Sequence, residues 1–257
     1  MKNSIKNVIE RQSLLYQALQ ENNELTVAEL SKYLKCSEVT IRRDLSKLEK
    51  MGKIFRKRGK AACIPETPIN ENKNEEIQRI KENIASVTAK LIPEGSTIFV
   101  NSSSIAMETV KKLADKRLTI LTNNVRIIDS EQHPETTILL SGGEVRFPRE
   151  ILVGEFAASF FHNMIADFSI IGSYGVTYTA GLTTPLLNEA EINRIMIQNT
   201  SGPIILVADY RKIGLITNFK TASIKSINYL ITDIYANQEI IRQIEAQGVQ
   251  VIQVNPY

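Results

Sequence analysis

Cations set at helical spacing are the clearest chemical feature of the sequence. Between Ser37 and Met51 stand Arg42, Arg43, Lys47 and Lys50, and a second run, Arg56-Lys57-Arg58-Gly59-Lys60, follows soon after. Guanidinium groups presented along a helix can make paired hydrogen bonds to guanine O6 and N7 in a major groove, and ammonium groups can meet phosphates. Further on, polar or glycine-containing stretches recur: Asn101-Ser102-Ser103-Ser104, Thr122-Asn123, Ser141-Gly142-Gly143 and Gly172-Ser173-Tyr174-Gly175. The hydroxyls and backbone amides of such loops suit an anion, above all where a helix begins. Covalent chemistry has little to work with. Cys36 and Cys63 are single, without CxxC spacing or a neighbouring His, His133 and His162 stand in no motif, and GxSxG, Walker and Cys/His nucleophile patterns are absent. No metal site and no cofactor is expected.

The cationic stretch needs a helix to hold it. Ser37 is a natural N-cap, Gly52 a stop, and the helix runs from Glu38 to about Met51. At about 100° per residue, Ile41, Leu45 and Leu48 fall in one narrow sector. Val39, Arg43, Ser46, Lys47 and Lys50 gather opposite, with Thr40 and Arg42 on the flanks. A solvated charged face usually mixes signs into i,i+4 pairs; the sector opposite this core holds cations alone. Upstream, Val8, Ile9, Leu14, Leu15, Ala18 and Leu19 recur at helical spacing until the polar run Glu21 to Glu24, and Thr26 with Glu29 has the form of a capping box opening a second helix through Leu30, Tyr33 and Leu34. Lys35-Cys36 makes the turn, and residues 53 to 64 read as a short basic hairpin. Three helices and a hairpin are the layout of a winged helix-turn-helix domain over residues 1–64. Its expected DNA-binding residues are Ser37, Val39, Thr40, Arg42, Arg43, Ser46, Lys47, Lys50, Arg56, Arg58 and Lys60. Arg43 is the first candidate for a base contact, and Lys47 and Lys50 for the phosphate backbone.

Charge agrees with that division. Residues 1 to 60 carry 14 Lys/Arg against 7 Asp/Glu, and the remainder 17 against 21, so a head of net +7 sits on a body of net −4. With 43% hydrophobic residues, two Cys and 257 residues in all, the composition is that of a globular protein and excludes disordered, collagen-like and disulfide-framework classes. No apolar run approaches the roughly 20 residues of a membrane span and the start lacks a signal core, so a cytoplasmic protein without membrane association is expected.

Residues 65–74, PETPINENKN, read as the linker. Beyond it, over 75–257, β-rich segments at 97–100, 118–121, 137–140, 168–171, 204–207, 229–231 and 249–254 alternate with helical stretches near 75–92, 104–115, 149–163, 186–199 and 237–247. Continuous apolar strands alternating with helices predict an α/β domain with a mainly parallel sheet covered on both faces. Ligands of such sheets bind at the carboxyl ends of strands, where the polar loops fall. The expected effector-binding residues are therefore Asn101, Ser102, Ser103, Ser104, Asn123, Gly142, Gly143, Arg146, Gly175 and Lys212, with Arg146 and Lys212 supplying positive charge.

These residues also carry a family resemblance. Arg11, Leu15 and Leu19, followed by Ser37-Glu38-Val39-Thr40-Ile41-Arg42-Arg43-Asp44-Leu45, resemble the signature of the DeoR family of bacterial transcriptional regulators. The likeness continues through Leu121-Thr122-Asn123-Asn124, Leu140-Ser141-Gly142-Gly143-Glu144-Val145-Arg146, Gly181-Leu182-Thr183-Thr184-Pro185, Glu189-Ala190-Glu191, Ala208-Asp209 and Leu230-Ile231-Thr232-Asp233, covering essentially the whole chain. The resemblance implies a helix-turn-helix over Leu25 to Asp44, with Asp44 structural. It also implies a body similar in fold to sugar-phosphate isomerases, serving as sensor for a phosphorylated sugar or related metabolite. The implied function is repression of a carbohydrate-metabolism operon, with double-stranded operator DNA, the effector and further copies of the chain, as dimer or tetramer, for partners.

Three segments depart from the family pattern. The wing reads Arg56-Lys57-Arg58-Gly59-Lys60-Ala61 in place of Arg-x-His-Gly-Gly-Ala. Asn101-Ser102-Ser103-Ser104-Ile105 stands for Asp-x-Gly-Thr-Thr, where Ser103 adopts positive φ less freely than Gly. Asp209-Tyr210-Arg211-Lys212-Ile213-Gly214 stands for Asp-x-Ser-Lys-Phe-Gly. Two alternatives remain beside the sensor: a body that serves oligomerisation without a ligand, and an isomerase- or deaminase-like enzyme, for which Asp209 and Glu189 are the carboxylates to nominate. The acidic segment of those enzymes has no counterpart at Gly172 to Gly175, and an enzyme is not expected.

Overall fold

The computed structural model describes residues 5–22, 24–50, 54–57, 59–63, 71–147 and 149–256, and within them not the side chains of 5–10, 20–21, 50, 57 and 71–74. The chain divides into two compact units at Asn70/Glu71, residues 147–149 being grouped with the first. The expected helix stop Gly52, the wing residue Arg58, the side chain of Lys50 and the linker positions 65–70 lie outside what is described.

The head contains α1 (Ile5–Asn22), β1 (Glu24–Thr26), α2 (Val27–Leu34), α3 (Glu38–Lys50), β2 (Ile54–Lys57) and β3 (Lys60–Cys63). The capping box forms as its sequence predicts: Thr26 Oγ1 accepts from the Glu29 amide at 3.2 Å, and Glu29 Oε2 accepts from the Thr26 amide at 2.7 Å. Lys35 closes α2 in the left-handed region, at φ 50°. Leu15, Ala18, Leu19, Leu30, Ile41, Leu45, Leu48 and Ile54 pack into one core. The wing gains a strand that sequence patterning does not show: β1 pairs antiparallel with β3, so Glu24 to Thr26, expected to end one helix at Glu24 and open the next at Thr26, also complete a three-stranded sheet.

The body comprises α4 (Glu71–Lys90), β4 (Thr97–Val100), α5 (Ser104–Lys111), β5 (Thr119–Thr122), β6 (Thr137–Leu140), β7 (Glu144–Arg146), β8 (Ile151–Val153), α6 (Glu155–His162), β9 (Phe168–Gly172), β10 (Gly175–Thr177), β11 (Gly181–Thr184), α7 (Leu187–Gln198), β12 (Ile204–Val207), β13 (Phe219–Ala222), β14 (Tyr229–Asp233), α8 (Gln238–Glu245) and β15 (Gln250–Val254). All seven expected strands join one parallel sheet, in the order β15-β14-β12-β9-β4-β5-β6. Alternate side chains go to opposite faces, as the pleat requires. Ile98, Val100, Ile205 and Val207 meet α4 and α5, whereas Phe99 and Leu206 meet α6, α7 and α8.

One expectation about the body is corrected, and one element is added. Residues 149 to 154 are not helical: Ile151–Val153 form β8, paired with β7, and Glu150 and Gly154 on either side take positive φ, at 54° and 93°, which breaks any helix there. A second small sheet, β10-β11-β13, lies outside the seven-stranded one.

Candidate functional site

In the head, α3 is fastened from behind. Asp44 is 3% exposed, and its carboxylate accepts from Arg11 Nε at 2.6 Å and from Gln12 Nε2 at 2.9 Å, both on α1. The Asp44 hydrogen bond and charge hold the Arg11 guanidinium above its ordinary pKa, against a smaller opposing effect of burial. At the helix start, Ser37 Oγ accepts from the Thr40 amide at 3.3 Å and shares a 2.9 Å hydrogen bond with the Thr40 hydroxyl, so this pair organises the first turn. The opposite face is open. Val39 is 78% exposed, Arg43 and Lys47 are exposed, and Ser46 is half-buried between them and the core. No side chain of Val39, Arg43 or Lys47 has a hydrogen bond or ion pair among the described residues, while Arg42 on the flank pairs with Glu38 at 3.0 Å. The wing is less cationic than its sequence suggests, because Arg56 pairs with Glu49 of α3 and Lys60 with Glu24 of β1.

In the body, sheet order singles out one place. From β4 the chain proceeds through β5 to β6 on one side, and through β9, β12, β14 and β15 on the other. The crevice between the carboxyl ends of β4 and β9 is thus the point where strand order reverses, the usual ligand position in open α/β sheets. Asn101, 2% exposed, spans it: Nδ2 donates to Gly172 O at 2.9 Å and to Asn193 Oδ1 at 3.1 Å, and Oδ1 accepts from the Gly172 amide at 3.0 Å and the Ser103 amide at 3.2 Å. An amide here accepts two backbone N–H groups as a carboxylate would, and adds two donated bonds. Ser103 needs no positive φ, since it sits at −66° with ψ 140°. Its side chain lies where a Cβ on Gly172 would stand, within 2.0 Å of Ser103 Oγ, so the glycine is demanded at residue 172. No side chain caps α5, and Ser102, Ser103 and Ser104 bring three hydroxyls to that helix start.

The third loop comes from β12. Asp209, 2% exposed, accepts from Arg211 Nε and Nη2, both at 2.8 Å, and from the Arg211 amide at 3.1 Å. Burial pushes the carboxyl up, but the hydrogen bonds and charge of Arg211 outweigh it and hold Asp209 below the usual carboxylate range. Lys212 Nζ lies 5.3 Å from the centre of the Tyr174 ring, joining this loop to residues 172–175. Next to them Asp233 accepts from the Tyr210 and Tyr235 amides at 2.7 and 3.0 Å, and its carboxyl is raised, chiefly by burial.

Of the expected effector residues, Asn101 to Ser104 and Lys212 converge here, around the 172–175 loop. The others have other work. Asn123 Nδ2 donates to Leu152 O at 3.1 Å, and its buried Oδ1 has no partner among the described residues. A Cβ on Gly143 would come within 2.6 Å of Val153 O, so that glycine lets the chain enter β7 close against the end of β8, while Gly142, at φ 68°, serves the turn that leads from β6 into β7. Arg146 pairs with Glu144 on the exposed face of β7. Gly175 is needed for packing, where a Cβ would meet Leu215 O at 2.3 Å and Thr183 Oγ1 at 2.5 Å. Patterning missed Asn193 and the Asp209–Arg211 fork, and the Arg211 departure from the family pattern was the one signal for either.

A helix-turn-helix head with an open cationic face and an α/β body with a polar crevice at its strand-order switch define a two-domain regulator architecture. Comparison with known proteins agrees: the DeoR-like helix-turn-helix domain matches residues 11–67, and the DeoR C terminal sensor domain matches residues 76–234. The HTH-type transcriptional regulator GolR of Listeria innocua is 32% identical over 94% of this chain and 97% of its own. The regulator GlpR of Haloferax volcanii is 30% identical over 95% and 96%, and the glycerol-3-phosphate regulon repressor of Escherichia coli 29% over 87% and 90%. Among solved structures, ribose 5-phosphate isomerase A of Methanocaldococcus jannaschii superposes with a TM-score of 0.38 at 13% identity, over 53% of this chain and 54% of that one. The chain belongs to the DeoR family of transcriptional regulators.

Proposed function

We propose that the protein is a DNA-binding repressor of a carbohydrate-metabolism operon, whose affinity for operator DNA is set by a phosphorylated sugar or similar metabolite held in the β4–β9 crevice. Arg43 reads a guanine edge, Val39 packs on a thymine methyl, and Lys47, Lys50, Arg58 and the flank of α3 meet phosphates. Arg56 and Lys60 join them only by exchanging a carboxylate for a phosphate. Two heads of a homo-oligomer read half-sites about 34 to 36 Å apart, or a multiple of that spacing.

The observation that carries the effector half is the convergence of three loops at the strand-order switch. An uncapped helix start with three serines and the Lys212 ammonium both adjoin residues 172–175, while the best-placed carboxylate, Asp209, is closed by Arg211. These features favour an anion as ligand, and Asp209 is a poor candidate for a general base, since a carboxylate held low by a fork of hydrogen bonds is a poor proton acceptor at neutral pH. Glu189, the other nominee, is buried beside Thr184, whose hydroxyl donates to it at 3.5 Å.

Thermal unfolding with a panel of sugar phosphates and their parent sugars tests the reading. A phosphosugar at about 100 times its dissociation constant stabilises by roughly 2.7 kcal/mol, and the parent sugar should not. The same compound must then weaken binding to DNA selected by the protein from a random pool. A flat panel would favour a body used for oligomerisation, and turnover of a panel member would favour an enzyme.

A further inference from the structure

One cation near the crevice belongs to none of its three loops. Lys116 Nζ donates to Ala89 O at 3.0 Å and to Ile92 O at 2.6 Å, fastening the end of α4 where the chain turns back into β4. The turn makes α4 antiparallel to β4, and its earlier residues lie toward the carboxyl edge of the sheet. Lys81 stands nine residues before Lys90, about 13 Å back along the helix at a rise of about 1.5 Å per residue. The four residues of β4 cover about 13 Å as well, so Lys81 is level with the start of the Asn101 loop. Its neighbours Ile80 and Ile84 are buried on the sheet, and Lys81 itself is half-buried.

The charged groups around it are Arg211 and Asp209 from the β12 loop and Glu108 from α5. Both carboxylates are engaged elsewhere, Asp209 by Arg211 and Glu108 by Lys111 at 2.9 Å. Lys81 makes no hydrogen bond or ion pair among the described residues, and burial first, with the Arg211 charge second, holds its ammonium below the usual lysine range. A desolvated cation facing a second cation, with no counter-charge of its own, is costly unless something supplies one.

We propose that Lys81 is a direct ligand of the effector's anionic group, so that the anion is gripped from α4, the first helix of the body after the head, as well as from the crevice loops. This rests on the reading of the body as an anion sensor.

The test uses the full chain and inorganic phosphate as the probe, followed by thermal unfolding at constant ionic strength set with sodium chloride. Without phosphate, Lys81→Gln should unfold at the wild-type temperature or above it, because an unpaired half-buried charge has been removed. With phosphate, its apparent affinity should fall about tenfold or more, as for loss of a charge-assisted hydrogen bond. Lys81→Arg should retain most of the affinity, and Lys90→Gln, at the exposed far end of the same helix, should match wild type. Wild-type phosphate affinity in Lys81→Gln together with weakened binding in Lys212→Gln would overturn this inference and leave the sensor standing. A loss of phosphate-free stability in Lys81→Gln would make the lysine a structural contact and also overturn it. Absence of phosphate binding by the wild type would bring down the anion-sensor reading as well.

Discussion

The α3 face and the β4–β9 crevice both present cations, and they do so in opposite ways. On α3 the buried carboxylate, Asp44, is behind the helix and Glu38 and Glu49 are paired with Arg42 and Arg56, while Arg43 and Lys47 stand in solvent with no side-chain partner among the described residues. In the crevice the carboxylate, Asp209, is inside the cluster and pairs with Arg211, with half-buried lysines at 81 and 212 nearby. The first arrangement suits a polyanion that arrives as an extended surface and replaces the ion atmosphere; the second suits one small anion that must be desolvated to bind. Exposed cations are screened within a Debye length of about 8 to 10 Å at physiological salt, and partly buried ones much less. Binding at the head should therefore collapse with added salt, and binding at the crevice should respond far more weakly.

The largest expected effect breaks the anchor of the head. Asp44→Ala leaves Arg11 and Gln12 facing each other without an acceptor and should destabilise the head by about 3 kcal/mol or more, visible as an earlier transition in chemical denaturation. An unchanged transition would mean that α3 is held by its apolar side alone.

Next is Arg211→Met, which removes the fork from Asp209. In the wild type the Asp209 carboxyl lies below its unfolded value of about 3.9. It therefore adds stability that is present above that value and lost as pH falls through the lowered one. In the variant burial is opposed only by the Lys212 charge and the amide of residue 211, so the carboxyl rises: the body should be weakened by about 2 to 4 kcal/mol at neutral pH and should regain part of this on acidification. Asp233, already raised, contributes in the inverted sense in both proteins. Unfolding free energies measured from pH 3 to 7 separate the two curves; parallel curves would show that Arg211 does not govern Asp209.

Smaller effects sharpen the comparison on the DNA side. Arg43→Ala should cost about 1 to 3 kcal/mol of discrimination between the selected operator and a version altered at one guanine, with the unfolding midpoint unchanged. Lys47→Ala should weaken all sequences alike and shallow the salt slope by about one. Equal loss of discrimination from both changes would mean that their roles are misassigned.

Much of this architecture was legible in the residues because hydrophobic periodicity survives wherever an element packs along its whole length. The seven strands of the main sheet are continuous apolar runs, and the two faces of α3 separate by residue type. What was not legible depends on distant partners. Glu24 to Thr26 becomes a strand because β3, some 36 residues on, offers an edge. Gly175–Thr177 and Gly181–Thr184 look like turns because glycine and threonine dominate them, yet both are buried against each other. Residues 149 to 154 fitted a helical period over too few positions to exclude a strand. In the crevice, the polar loops could be placed after strands, but the four bonds of Asn101 reach residues up to 92 positions away. Lys81 looks like any lysine on an amphipathic helix, and only the antiparallel packing of α4 brings it level with the crevice.

The fastening of α3 from behind has an evolutionary consequence. Within one helix of 13 residues, the positions that keep the head folded, Ile41, Asp44, Leu45 and Leu48, are disjoint from those that face outward, Val39, Arg43, Ser46 and Lys47. After a gene duplication, one copy can acquire a new target by substitution at the outward set while its scaffold stays under unchanged selection, and a bench chimera exchanging those four residues can follow the same route in a single step.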